Sequence, residues 1–394
     1  MTKENKYNYI IVGAGMSASF AGKELRKLDE DSSILILGQE SYGPYKRPPL
    51  TKDLWADDAD VASVFYKINE DDSVDIQTDT QVSSIDKEAK TVTTKAGDTY
   101  SYDKLLVATG GTPNAIDGPE SDRVLAYRTL DDFKQIQELL EDAKDVIVVG
   151  GGFIGSEISA SISEEGANVT LVYPDNLLGE KIFPQEIAET FNQTFKDNNV
   201  NLVNNSRAKS YDVDGNKISL TTVDGKTFEG DILVFGLGIT PNTELAEAAG
   251  LDVDNGVIVD EYFQTSDANI YAVGDIANYP DIVQGKVRVE HEDHARMSGK
   301  KAARNMVGEK ETYNYIPLFY SDLFDIEYEA YGKIDSRLDT VIEPLGDGKL
   351  VYYLDGDKPL GFLNWKVYPD RKKIRDFLKE DHVDLENVKG TVTK

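Results

Sequence analysis

An apolar strand pattern that runs straight into closely spaced glycines leaves a chain few ways to fold, and this chain contains it twice. Tyr9-Ile10-Ile11-Val12-Gly13-Ala14-Gly15-Met16-Ser17-Ala18-Ser19 reads as a buried strand, a tight turn and the start of a helix. Gly13 admits the sharp turn, Gly15 leaves the backbone amides open to a pyrophosphate, and small Ala18 lets the helix pack close to the strand. The amides and dipole of the helix start then form an anion site. Alone, the motif also fits an ordinary strand–helix turn of any α/β domain. The second copy raises the reading above that. Asp145–Val149 leads into Gly150-Gly151-Gly152-Phe153-Ile154-Gly155, the full G-x-G-x-x-G, 137 residues after the first. Two copies predict two nucleotides bound by one chain.

Each copy is followed by the same series of features. After the first come a helix over 16–28, the strand Ile34–Leu37 and the acid Glu40, 27 residues past Gly13. Short alternating strands follow over 74–107, read as a small antiparallel meander with Gly97-Asp98 as a hairpin signal. The run Lys104–Gly111 is a buried strand ending in glycines. After the second come a helix over 153–165, the strand Val169–Tyr173 and Asp175, 25 residues past Gly150. A meander around Asp224-Gly225 and the glycine-ended strand from Ile232 complete it. An acid after the second strand accepts hydrogen bonds from a ribose. For Glu40 a plain surface role stays open. No arginine closely follows Asp175, which favours NADH over NADPH.

Other stretches add detail. Pro44-Tyr45-Lys46-Arg47-Pro48-Pro49-Leu50-Thr51-Lys52 reads as an extended, cationic loop. It suits a pyrophosphate or flavin edge, and equally a proline-stiffened turn with solvated lysines. Residues 131–142 read as a linker helix. Asn269–Asp275 is a short strand with Gly274-Asp275 at the end that faces the crevice in doubly wound sheets. A helix near 292–306 carries His291 and His294, a loose metal pattern, and no metal is assigned. Residues 313–394 are aromatic-rich, with short strands and a charged helix at 370–380, an α+β third domain.

With 394 residues and 40% hydrophobic content, two or three domains are expected. The net charge of −29 makes nucleic acid and anionic membranes unfavourable partners. The acids are scattered, as at Asp57, Asp58, Asp60, Glu70, Asp71, Asp72, Glu164 and Glu165. No apolar run is long enough to span a membrane, and the strand that begins within ten residues leaves no room for a leader. The cytoplasm is the expected location. The sequence contains no cysteine, which excludes a redox-active disulfide, thiolate metal sites and a cysteine nucleophile.

Three motifs carry a resemblance. Arg47-Pro48-Pro49-Leu50-Thr51-Lys52, Thr265–Asp275 and Glu290-His291-Glu292-Asp293-His294-Ala295 with Ser298-Gly299 resemble the flavoprotein pyridine-nucleotide reductases. The likeness is to the branch with ferredoxin and rubredoxin reductases and the apoptosis-inducing factor, over residues 7 to about 365. It implies an α/β fold with two Rossmann-like, glutathione-reductase-like domains and a C-terminal α+β domain. Residues 1–125 and 251–312 would bind FAD, 126–250 would bind NAD(H), and 313–394 would form an interface-type domain. By resemblance, FAD meets Gly13, Gly15, Ala18, Gln39 or Glu40, Arg47, Lys52, Val82, Thr109, Gly110, Arg128, Gly274, Asp275, His291 and Tyr320. NADH meets Gly150, Gly152, Gly155, Asp175 and Gly238. Glu157 matches a glutamate beside the nicotinamide and Lys52 a lysine near the flavin N5, and the two are expected to pair.

Three positions depart from the pattern. Gln39 stands where relatives carry the ribose acid, Tyr320 where many carry tryptophan, and Tyr173 where the acid usually follows the second strand. The expected function is a cysteine-free, FAD-dependent NADH oxidoreductase that passes electrons to a small redox protein, a quinone or oxygen. The alternative is an NADH-sensing flavoprotein whose output is a charge-transfer complex and dimerisation or partner binding. A homodimer remains an open expectation.

Overall fold

The computed structural model describes residues 5–68 and 73–393, so Glu70, Asp71 and Asp72 lie outside the described residues. The chain divides into two compact units, Met1–Lys46 with Val61–Thr112 and Pro241–Phe319, and Arg47–Asp60 with Pro113–Thr240 and Tyr320–Lys394.

The first unit is built on a parallel sheet. Lys6–Val12 lies between Ile34–Leu37 and Thr99–Val107, and Ile270–Ala272 adds on the far side of Thr99–Val107. The strands are apolar runs because both faces are covered: Ile10, Ile11, Leu35, Ile36, Leu105 and Leu106 are fully buried. The helices Met16–Leu28 and Glu292–Met306 pack closely, and a Cβ on Gly299 would lie 2.4 Å from the Ser17 carbonyl oxygen. Two expectations change here. Asp75–Gln77 is not part of the antiparallel meander but the parallel edge strand beside Ile34–Leu37. Residues 99–107 form one nine-residue strand rather than two. Its first half pairs antiparallel with Thr91–Thr94, and its second half runs parallel to Ile270–Ala272. Alternation in the first half and continuous burial in the second made one strand look like two.

The second unit repeats the scheme. Asp145–Val149 lies between Asn168–Val172 and Ile232–Phe235, all parallel, with Asn201–Val203 and Val124–Ala126 at the edges. Ala208–Asp214, Lys217–Thr222 and Thr227–Gly230 form a small antiparallel sheet, turning at Gly225. The helix Leu130–Leu140 starts in a capping box made by Thr129 and Asp132. A five-stranded sheet runs in the order Leu318–Leu323, Ile326–Gly332, Lys358–Trp365, Gly348–Asp355, Asp339–Leu345, and the helix Arg371–Phe377 follows it. No described helix is long and apolar enough to cross a membrane.

Candidate functional site

The two glycine turns have the same construction. Gly13 and Gly150 sit at φ +106° and +116°, the left-handed region that a side chain disfavours. A Cβ on Gly13 would lie 2.2 Å from the Ala108 carbonyl oxygen, and one on Gly150 would lie 2.4 Å from that of Gly236. Each turn is therefore pressed against the next parallel strand. Gly155 would meet the Gly150 carbonyl at 1.8 Å, so it sets the helix against the turn. Gly15 and Gly152 are different. They are the N-cap residues of Met16–Leu28 and Phe153–Glu164, and a Cβ on either would meet nothing within 4 Å. Neither helix has a side-chain cap or an acid in its first turn. An uncapped helix start below open space is a donor set that fits a diphosphate, once in each unit.

The first unit also carries Thr109, whose hydroxyl donates to the Asn242 carbonyl oxygen at 3.2 Å, and Gly110 at φ +63°. Ala18 and Val82 are buried in its core. Gln39 is exposed, while Glu40 accepts from the Tyr45 hydroxyl at 2.5 Å. Gly274 at φ +73° opens a single 3₁₀ turn that holds Asp275, whose carbonyl accepts from Arg288 at 3.0 Å. Asp275 does not cap the following helix, which begins at Glu292 with His291 as its N-cap. The His291 ring stacks on Phe319 at 4.6 Å, and burial pushes its pKa down to about 4. His294 is fully buried, stacked on Tyr279 at 4.5 Å and within 3.2 Å of the Tyr313 hydroxyl. Burial brings its pKa down to about 3. No group of three or more metal-ligating side chains gathers among the described residues.

In the second unit the proline segment is not extended as expected. Pro48–Thr51 is a 3₁₀ turn with the prolines in its first positions, where a fixed φ and a missing N–H cost nothing. The Tyr127 hydroxyl and the Trp55 indole N–H, the latter at 2.8 Å, both donate to the Leu50 carbonyl and pin the turn. Arg47 Nη1 donates to the Arg128 carbonyl at 2.8 Å, and Arg128 N–H donates to Asp132 at 2.9 Å. The turn delivers Lys52 to Glu157 on the Phe153–Glu164 helix, forming a close ion pair whose side chains are 8% and 7% exposed. Glu157 also accepts from Thr51 Oγ1 and Ser321 Oγ, each at 2.6 Å. The Tyr320 ring lies 5.3 Å from Lys52 Nζ. Burial raises the Asp322 carboxyl pKa, against the pull of Lys52. Gly238 sits at φ +75° after the Ile232–Phe235 strand. Tyr173 is buried and bonds Asn192, while Asp175 is partly exposed and paired with Lys181 at 2.7 Å.

Sequence reasoning gave no role to Thr51, Ser321 or Lys181. Thr51 neighbours Lys52 and Ser321 neighbours Tyr320, both expected at the site, but Ser321 lies 164 residues from Glu157, and no local signal links them.

The model of the pyridine nucleotide-disulphide oxidoreductase family matches residues 7–299. The monodehydroascorbate reductase of Solanum lycopersicum is 30% identical over 84% of this chain and 83% of its own length. The mitochondrial apoptosis-inducing factor 1 of Dictyostelium discoideum is 30% identical over 95% of this chain and 78% of its own. The crystal structure of the ferredoxin reductase for the CYP199A2 system from Rhodopseudomonas palustris superposes with a TM-score of 0.84 at 27% identity, covering 91% of each chain. The chain belongs to the pyridine nucleotide-disulphide oxidoreductase family and is an FAD-dependent NAD(P)H oxidoreductase.

Proposed function

We propose that this protein takes hydride from NADH and passes the electrons to an acceptor that is not a protein disulfide: a small redox protein, a quinone or oxygen. Bound FAD supplies the two-electron acceptor for the hydride. In this reading residues 1–125 and 251–312 hold FAD, and 126–250 hold NADH. Gly13, Gly15 and Ala18 admit the FAD diphosphate, and Gly150, Gly152 and Gly155 that of NADH. Asp175 receives the adenosine ribose of NADH. Residues 313–394 form the interface-type domain.

The observation that carries the reading is the buried Lys52–Glu157 pair. An ammonium in a water-poor site stabilises negative charge that develops on a neighbouring group, and it costs no reorganisation when already fixed. Glu157 is the counterion of Lys52 and holds it in place. No general acid or base is needed for hydride transfer itself. The absence of cysteine in this sequence directs the electrons outward rather than through an internal disulfide.

The test is the absorption spectrum of the purified protein before and after anaerobic NADH, followed by an acceptor screen. The screen includes ferredoxin and monodehydroascorbate, which the names of similar proteins supply. A colourless protein, or one that NADH does not bleach, would refute the proposal. If a charged carrier is the acceptor, its reduction falls steeply with salt; a rate that ignores ionic strength excludes electrostatic docking. The likeness to an apoptosis-inducing factor over nearly the whole chain supports a second reading, an NADH sensor. Persistent long-wavelength absorbance with negligible turnover in air would favour it.

A further inference from the structure

We infer that Ser321, together with Thr51, is a positioning residue for the Lys52–Glu157 pair and thereby for hydride uptake; this rests on the reading of Lys52 given above. The carboxylate of Glu157 is 5% exposed as a residue, yet it receives three side-chain donors. Oε1 is shared by Lys52 Nζ and Ser321 Oγ, and Oε2 takes Thr51 Oγ1. The donors come from two places distant in sequence, the turn after Pro48-Pro49 and the Leu318–Leu323 strand. A second tie, Ser161 Oγ to the Thr51 carbonyl at 2.8 Å, lies one helical turn beyond Glu157. The turn that bears Lys52 is thus fastened to the Phe153–Glu164 helix at two points.

A buried ion pair adds little net stability, because desolvation offsets the attraction. What the two hydroxyls add is geometry. Lysine is a point charge on a flexible stem, and a carboxylate held by one lysine alone can turn with it. With Ser321 on the oxygen that Lys52 uses, and Thr51 on the other, the carboxylate plane is fixed and the ammonium has one place to sit. Ser321 also lies next to Tyr320, whose ring flanks Lys52 Nζ. The Leu318–Leu323 strand therefore contacts both members of the pair.

The test uses the holoprotein and anaerobic stopped-flow reduction over a range of NADH concentrations, with Ser321→Ala, Ser321→Thr, Thr51→Val and Lys52→Ala. Losing one hydrogen bond to a charged group lowers the limiting rate about tenfold in Ser321→Ala. Half-saturation by NADH and the FAD affinity of the apoprotein stay within about twofold, and Ser321→Thr restores most of the rate. The flavin midpoint potential moves in the same direction as in Lys52→Ala. Thr51→Val behaves like Ser321→Ala and serves if the latter does not fold. A normal rate and potential in Ser321→Ala, alongside a slow Lys52→Ala, would overturn the role of Ser321 and leave Lys52 standing. A normal rate in Lys52→Ala would overturn both.

Discussion

Replacing Gly15 or Gly152 by alanine separates binding from folding. Both residues have backbone angles open to any side chain, φ −83° and ψ −168° for Gly15, and φ −81° and ψ −173° for Gly152. Apart from its own chain neighbours, a Cβ at either would meet no atom of the described residues within 4 Å. The fold therefore loses nothing, and the unfolded chain loses some freedom, so apoprotein stability changes by less than about 1 kcal/mol. The methyl group instead enters the space assigned to a diphosphate. Steric insertion into a packed site costs about 1–3 kcal/mol, equivalent to roughly 5- to 150-fold in affinity. Gly15→Ala should weaken FAD binding by that factor, measured by fluorescence titration of the apoprotein. Gly152→Ala should keep FAD and weaken NADH to the same extent. Gly155→Ala is the control, because its Cβ would fall 1.8 Å from the Gly150 carbonyl oxygen. It should lower the unfolding temperature whether or not a cofactor is present. If Gly15→Ala binds FAD within twofold of the parent, or unfolds as readily as Gly155→Ala, the assignment of that helix start is wrong.

The buried pair gives a stability prediction. Glu157→Gln leaves an acceptor for Lys52 and Ser321 but removes the charge, so an ammonium stays buried without a counterion; the cost of about 3 kcal/mol, spread over the unfolding entropy of a 394-residue chain, lowers the unfolding temperature by roughly 3–4 °C. A drop under about 2 °C in a thermal scan would refute a charged, desolvated pair. Lys181 competes for Asp175 at 2.7 Å. Asp175→Ala should raise the NADH half-saturation about tenfold and narrow the gap to NADPH, whereas Lys181→Ala should widen it; steady-state kinetics with both nucleotides decide. His291 and His294 are held near pKa 4 and 3 by burial, below the ordinary value of 6.5. Both are neutral in the folded protein, and the unfolded chain takes up protons first as pH falls. Their contribution to stability is full above pH 6.5 and declines from 6.5 down to about 4 for His291 and about 3 for His294. Unfolding temperatures at pH 7, 6 and 5 should fall in order, and a flat profile would contradict the burial.

The sequence by itself determined the two glycine turns, the helices at 16–28 and 292–306, the parallel runs and the exclusion of disulfide chemistry. These are local matters: a period, a turn residue or a missing residue type is complete within a short window. What it could not determine was which partner each group would find. The 99–107 strand changes neighbours halfway along. Asp75–Gln77 joins the parallel edge. Pro48-Pro49 start a 3₁₀ turn rather than an extended loop. The Lys52–Glu157 pair was expected from the resemblance, but Glu157 also collects Thr51 and Ser321 from 106 and 164 residues away. Side-chain hydrogen bonds act over about 3 Å of space and are indifferent to separation along the chain, so only the tertiary structure could choose them.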